Sequence, residues 1–236
     1  MLSVKQFFSD RRIAGLIYLT VIITGIFSIA YVPSQLVDYC DGAVTMVRLA
    51  ENPVLYRWGL MAGMACYLAY LVLPLSLYRI LADTHRGLAV LMVILAICGA
   101  LLSLINLAHK FDVLALISQR PGLASLSATD IEGQVMLAFT RYNHGIVLAQ
   151  LFWGAWLIPL GLLALRSGVL PAPLAVLLLT GGVAYLLQSF AWTAFAGYAQ
   201  TGIARYLTIP ASLGEIATCL WLLLGRGQTL NPLNPK

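Results

Sequence analysis

Glu215 is the side chain with the most chemistry to offer, because the apolar run from Leu207 to Leu224 holds no other acidic or basic residue. A charge at the centre of a membrane-spanning helix costs roughly 2.5 to 3.5 kcal/mol. Such a carboxylate faces the interior of a helix bundle and has a partner or a task there: holding a ligand, passing a proton or ion, or fixing helix register through a buried hydrogen bond. Glu215 stands eight residues into its run, about 12 Å from the outer end at roughly 1.5 Å per residue. Arg57, Arg141, Arg205, His109 and His144 all fall at outer helix ends. Together these residues outline an outward-opening polar cavity with Glu215 at its floor; an arginine reaching down from Arg57 or Arg141 would keep the carboxylate ionised, and without one desolvation favours the neutral acid.

Helical spacing gathers further polar side chains onto faces that lipid turns inward. Thr20, Thr24, Ser28 and Tyr31 form one stripe. Asn143 and Gln150 share a face with Trp153, while Arg141 and His144 stand about one turn apart. Tyr185, Gln188 and Trp192 line another face, and Ser103, Asn106, His109 and Lys110 end the third helix. The expected ligand-binding set is Glu215, Arg57, Arg141, His144, Asn143, Gln150, Gln188 and Trp192.

A second chemistry is open to His109 and His144, which sit at the outer ends of helices consecutive in sequence. They would suit a bis-histidine haem, or a metal completed by Asp112 or Glu132. A single histidine on each of two helices more often makes an interfacial hydrogen bond, and the spacing matches no metal motif, so no cofactor is assigned. GxSxG, HExxH, GxGxxG and P-loop patterns are absent. No lysine falls inside an expected span, which argues against a retinal Schiff base.

The elements that must position these residues follow from composition. The chain has 236 residues, 61% hydrophobic and 10% charged, where soluble proteins carry about 25% charged residues. It reads as an all-α integral membrane bundle. Six apolar runs approach or exceed the roughly 20 residues a helix needs to cross hydrocarbon: 13–34, 55–80, 87–108, 142–165, 173–194 and 207–224. The polar segments between them are too short for a separate core, so residues 1–236 form a single membrane-embedded domain. The first run follows Lys5, Arg11 and Arg12 and exceeds a signal-peptide h-region, which points to a retained anchor. The net charge of +5 sorts by membrane side and carries no nucleic-acid signal.

With both termini cytoplasmic, the inner segments hold Lys5, Arg11, Arg12, Arg79, Arg86, Arg166, Arg226 and Lys236 against Asp10 and Asp83. The outer segments hold Arg48, Arg57, Lys110, Arg120, Arg141 and Arg205 against Asp38, Asp41, Glu51, Asp112, Asp130 and Glu132. The positive-inside rule then places the protein in an inner membrane with its cavity on the extracytoplasmic side. A short helix is expected over Gly42 to Glu51, capped by Asp41 and with an apolar face of Val44, Val47 and Ala50, lying on the outer membrane surface or lidding the bundle. Thr129 and Glu132 suggest a capping box that starts the fourth helix near Asp130. Cys66, Cys98 and Cys219 lie in apolar runs and read as small buried hydrophobes. Gly59 and Gly63 form a GxxxG packing face, and Pro74 and Pro159 mark kinks.

Several stretches, taken in order, resemble a family of bacterial multi-pass membrane proteins known only as a domain of unknown function. They are Arg12-Ile-Ala-Gly-Leu-Ile-Tyr18 leading to Tyr31-Val-Pro-Ser34, Leu77-Tyr78-Arg79, Phe152-Trp-Gly154 through Pro159-Leu-Gly161, Arg166-Ser-Gly168 with Leu170-Pro171, and Gly214-Glu-Ile-Ala-Thr-Cys-Leu-Trp-Leu-Leu223. The resemblance implies an inner-membrane protein with no agreed reaction, a glutamate at the position of Glu215 and a histidine at that of His144.

The reading that follows is a multi-pass protein whose outward cavity binds a small or amphiphilic ligand for transport, sensing or presentation. Its partners are the lipid bilayer and that ligand; the oligomeric state is left open. The alternatives are a membrane enzyme or redox protein with haem or metal at His109 and His144, and a structural accessory subunit.

Overall fold

The structure, a computed structural model, describes residues 4–118 and 125–225, with side chains from Asp10 onward except that of Arg205. Arg120, Arg226 and Lys236, and the side chains of Lys5 and Arg205, therefore lie outside the described residues. The elements are α1 (Val4–Gly25), a π-helix (Ile26–Tyr31), α2 (Val32–Leu36), α3 (Gly42–Glu51), α4 (Pro53–Leu81), α5 (Arg86–Asn106), α6 (Ala108–Ile117), α7 (Ala128–Ser167), α8 (Ala172–Ala194), a 3-10 turn (Tyr198–Gln200), α9 (Gly202–Tyr206) and α10 (Ile209–Leu224). No strand occurs among the described residues.

Six helical runs are long and apolar enough to cross a membrane: Asp10–Leu36, Pro53–Leu81, Arg86–Ile117, Ala128–Ser167, Ala172–Ala194 and Gly202–Leu224. The protein is a multi-pass membrane protein. Large apolar side chains such as Leu68, Ile105 and Phe190 are exposed, as lipid-facing surfaces require. Cys98 is also exposed, so of the three cysteines expected to be buried only Cys66 and Cys219 are.

By packing, the chain forms two compact units. One comprises Met1–Leu19, Ala69–Gly99 and Val147–Lys236; the other comprises Thr20–Leu68 and Ala100–Ile146.

The second unit departs from the sequence expectations in three places. The third run does not end at residue 108: after Leu107 the helix resumes as α6 to Ile117, so Lys110 lies inside a span and is buried. The expectation that no span holds a lysine is therefore overturned. Helix α7 begins at Ala128, capped by Ser127 rather than Thr129: the Asp130 N–H donates to Ser127 Oγ at 3.2 Å, and the Ser127 N–H donates back to Asp130 Oδ2 at 3.2 Å. Glu132 packs on Gly42 instead. In α3 the expected Asp41 cap and bounds hold, with the Val44 N–H donating to Asp41 at 3.0 Å; its buried residues are Thr45 and Leu49, and Val47 is exposed. The Thr45 hydroxyl donates to the Asp38 carbonyl at 3.0 Å and accepts from the Asp38 N–H at 2.9 Å, which draws that face inward. On the first helix, Ser28 is buried while Tyr31 is exposed, because the π-helical turn shifts the register between them.

That turn explains the buried lysine. The Val32 N–H, which would serve the Ser28 carbonyl in an α-helix, reaches back to Phe27 O instead. The next donor in the π pattern is residue 33, a proline without an N–H. Lys110 fills the gap: its Nζ donates to Ser28 O at 2.8 Å and stands 4.2 Å from the centre of the Tyr142 ring. Tyr56 donates to Lys110 O at 2.7 Å, and Asn106 Nδ2 donates to Tyr142 O at 2.9 Å. Gly59 and Gly63 admit Val32 and Ser28, respectively, at short range, so the GxxxG face packs on the first helix.

Candidate functional site

Glu215 is positioned by the first unit. Helices α1 and α10 run antiparallel and meet at successive turns. Arg11 Nη2 donates to Trp221 O at 2.9 Å and to Gly225 O at 3.3 Å, capping the end of α10. One turn along, Gly15 allows Leu223 to close on its backbone, and Cys219 Sγ approaches Gly15 O at 3.5 Å. The next turn brings Tyr18 to Glu215, and its hydroxyl donates to Glu215 Oε1 at 3.1 Å.

Helix α10 is held from its other side by α8. Gly181 lies against the Ala211 backbone and Gly214 against that of Leu177 and Leu178. Helix α7 meets α8 through Gly154 against Gly182 O and Gly161 against Ala175 O. Small residues let these backbones approach closely in lipid, where van der Waals packing drives association.

Around the carboxylate the packing delivers aromatic rings. Tyr18 and Trp156 are both 1% exposed with ring centres 6.4 Å apart, and Tyr70 meets Trp156 edge-on at 5.6 Å. Tyr185, within electrostatic reach of Glu215, meets Trp153 edge-on at 6.2 Å. Tyr18, Trp156 and Tyr70 are buried, whereas Glu215, Tyr185 and Trp153 are half-buried.

The eight residues expected to bind ligand divide between the units. Glu215, Gln150, Gln188 and Trp192 belong to the first and Arg57, Arg141, Asn143 and His144 to the second. Gln188 has both ends of its amide engaged: Nε2 donates to Ala204 O at 3.2 Å, and Oε1 accepts from the Tyr198 hydroxyl at 2.8 Å. Gln150 and Trp192 are half-buried, as is Asn143; Arg57, Arg141 and His144 are exposed. His109 pairs with Asp112 on its own helix at 3.5 Å. No group of three or more His, Cys, Asp or Glu side chains that could hold a metal stands together among the described residues.

Sequence reasoning missed Tyr18. It lies within one of the stretches that carry the family resemblance, but an aromatic in an apolar run reads as packing. Its signal is the helical register, which sets Arg11, Gly15 and Tyr18 on one face.

A family described as "Domain of unknown function (DUF4386)" matches residues 13–225. The chain belongs to that family. No curated protein and no solved structure matches it. In this DUF4386 protein the match begins five residues before Tyr18 and ends one residue past α10, so the part of α1 that carries Tyr18 and the whole of α10 lie within it.

Proposed function

We propose that this protein binds a small or amphiphilic ligand within its membrane bundle, with Glu215 as the ligand-contacting carboxylate, and passes, senses or presents it. It resides in the bacterial inner membrane with both termini cytoplasmic and the site open to the extracytoplasmic side, as the distribution of basic residues supports. The observation that carries the reading is a half-buried acid, hydrogen-bonded only by Tyr18 among the described residues, with the half-buried Tyr185 within its electrostatic reach. A carboxylate serving only as a helix-to-helix tie is favoured when it is sealed and fully paired; Glu215 keeps accessible surface.

Thermal unfolding of the detergent-solubilised wild type and Glu215→Gln, with a long-chain amine, a fatty acid and a neutral diacylglycerol, tests this. The two proteins should unfold within about 3 °C of one another without ligand, and at least one compound should raise the midpoint of the wild type alone, by about 3 °C or more. A variant that fails to fold, or a panel that never separates the two proteins, would count against it.

A further inference from the structure

Resting on the assignment of Glu215 as the ligand-contacting carboxylate, we propose that the ligand is a small lipophilic organic cation, a protonated or quaternary amine, seated against Glu215, Tyr185 and Trp153. The charge arrangement favours this class over an anion or a neutral molecule. Among the described residues of its own unit, no lysine, arginine or histidine pairs with Glu215. Arg11 is spent on the carbonyls of Trp221 and Gly225, and Arg79 on Asp10 at 3.4 Å. The Tyr18 phenol donates to the carboxylate, and the Tyr185 phenol lies within its electrostatic reach. An anion would meet an acid with no compensating cation beside it, whereas a bound cation would stabilise the ionised form of that acid by pairing with it.

The rings decide what kind of cation. Aromatic faces carry the negative part of the ring quadrupole and attract ammonium groups, most strongly when water is excluded. Tyr185, within electrostatic reach of the acid, meets Trp153 at 75° with ring centres 6.2 Å apart, and Tyr18, which hydrogen-bonds the acid, packs on Trp156, which Tyr70 meets edge-on. A divalent metal wants several oxygen or nitrogen ligands, and the site offers one carboxylate. An alkylated ammonium asks for one negative charge and apolar or aromatic walls.

Isothermal titration of the full-length protein in nanodiscs, with empty nanodiscs as blank, tests the class. The probes are benzyltrimethylammonium, its neutral isostere neopentylbenzene, and the anion 3-phenylpropionate. The cation should bind one to one; Glu215→Gln should weaken it by about tenfold or more, and Trp153→Leu by about tenfold, as expected for loss of a desolvated charge or ring partner. Should Glu215→Gln not fold, Glu215→Asp keeps the charge one methylene further back and should retain weakened binding. Cation binding that is indifferent to Glu215 overturns the proposal. Binding of the neutral or anionic probe that depends on Glu215, without cation binding, overturns the cation class while leaving the ligand site standing. Indifference of all three probes to Glu215 removes both.

Discussion

Gly181→Leu is expected to destabilise the protein by about 3 kcal/mol, the upper range for overpacking a tight contact. A Cβ at this position would overlap Ala211 Cα and stand 2.8 Å from Ala211 N and 2.9 Å from Ala211 Cβ. These are atoms of the α10 backbone and its nearest side-chain carbon, so no flexible chain end can swing aside. The helices must part, and α10 carries Glu215 one turn beyond Ala211, so ligand binding should fall with stability. The unfolding midpoint in detergent should drop by roughly 6 to 12 °C for a chain of this size. Gly133→Leu is the matched control. Nothing lies within 4 Å of its added Cβ, and replacing a helical glycine adds helix propensity of up to about 1 kcal/mol, so its midpoint should hold or rise. Equal losses in the two variants would contradict the close α8–α10 seam.

Lys110→Ala is expected to cost about 2 kcal/mol by leaving the buried Ser28 carbonyl without a donor and opening a cavity. Relief of the ammonium's own desolvation offsets part of that loss. The sharper prediction concerns its coupling to Pro33. Pro33→Ala restores an N–H where the π-helical pattern calls for one, so the double variant should be more stable than the sum of the single changes by about 1 kcal/mol. Strict additivity in equilibrium unfolding would show that Lys110 does not serve the carbonyl that Pro33 leaves open.

The six spans were legible because apolar length is written directly in composition, and their expected ends fell within a few residues of the observed helices wherever the polar boundary coincided with a helix end. They failed at Lys110 because hydropathy marks where apolar sequence stops, not where hydrogen bonding stops; α6 continues through His109, Lys110 and Asp112 to Ile117. The start of α7 was misplaced by two residues because Thr129-x-x-Glu132 and Ser127-x-x-Asp130 both resemble capping boxes, and only the backbone shows which one closes. Glu215 stood out because an acid in an apolar run is unusual. Tyr18 did not, since its hydroxyl has meaning only beside a residue 197 positions away. The same limit applies to Gly181 and Gly154. They read as unremarkable glycines in apolar helices until Ala211 and Gly182 are seen against them.

The account stands or falls on whether the Glu215 carboxylate can be reached and occupied in the folded protein. The most direct measurement is peptide mass spectrometry after treating native membranes with dicyclohexylcarbodiimide, a hydrophobic reagent that converts carboxyl groups to N-acylureas. The account predicts an adduct on Glu215 that diminishes when benzyltrimethylammonium is present. A Glu215 that stays unmodified in the membrane and reacts only after denaturation would contradict it.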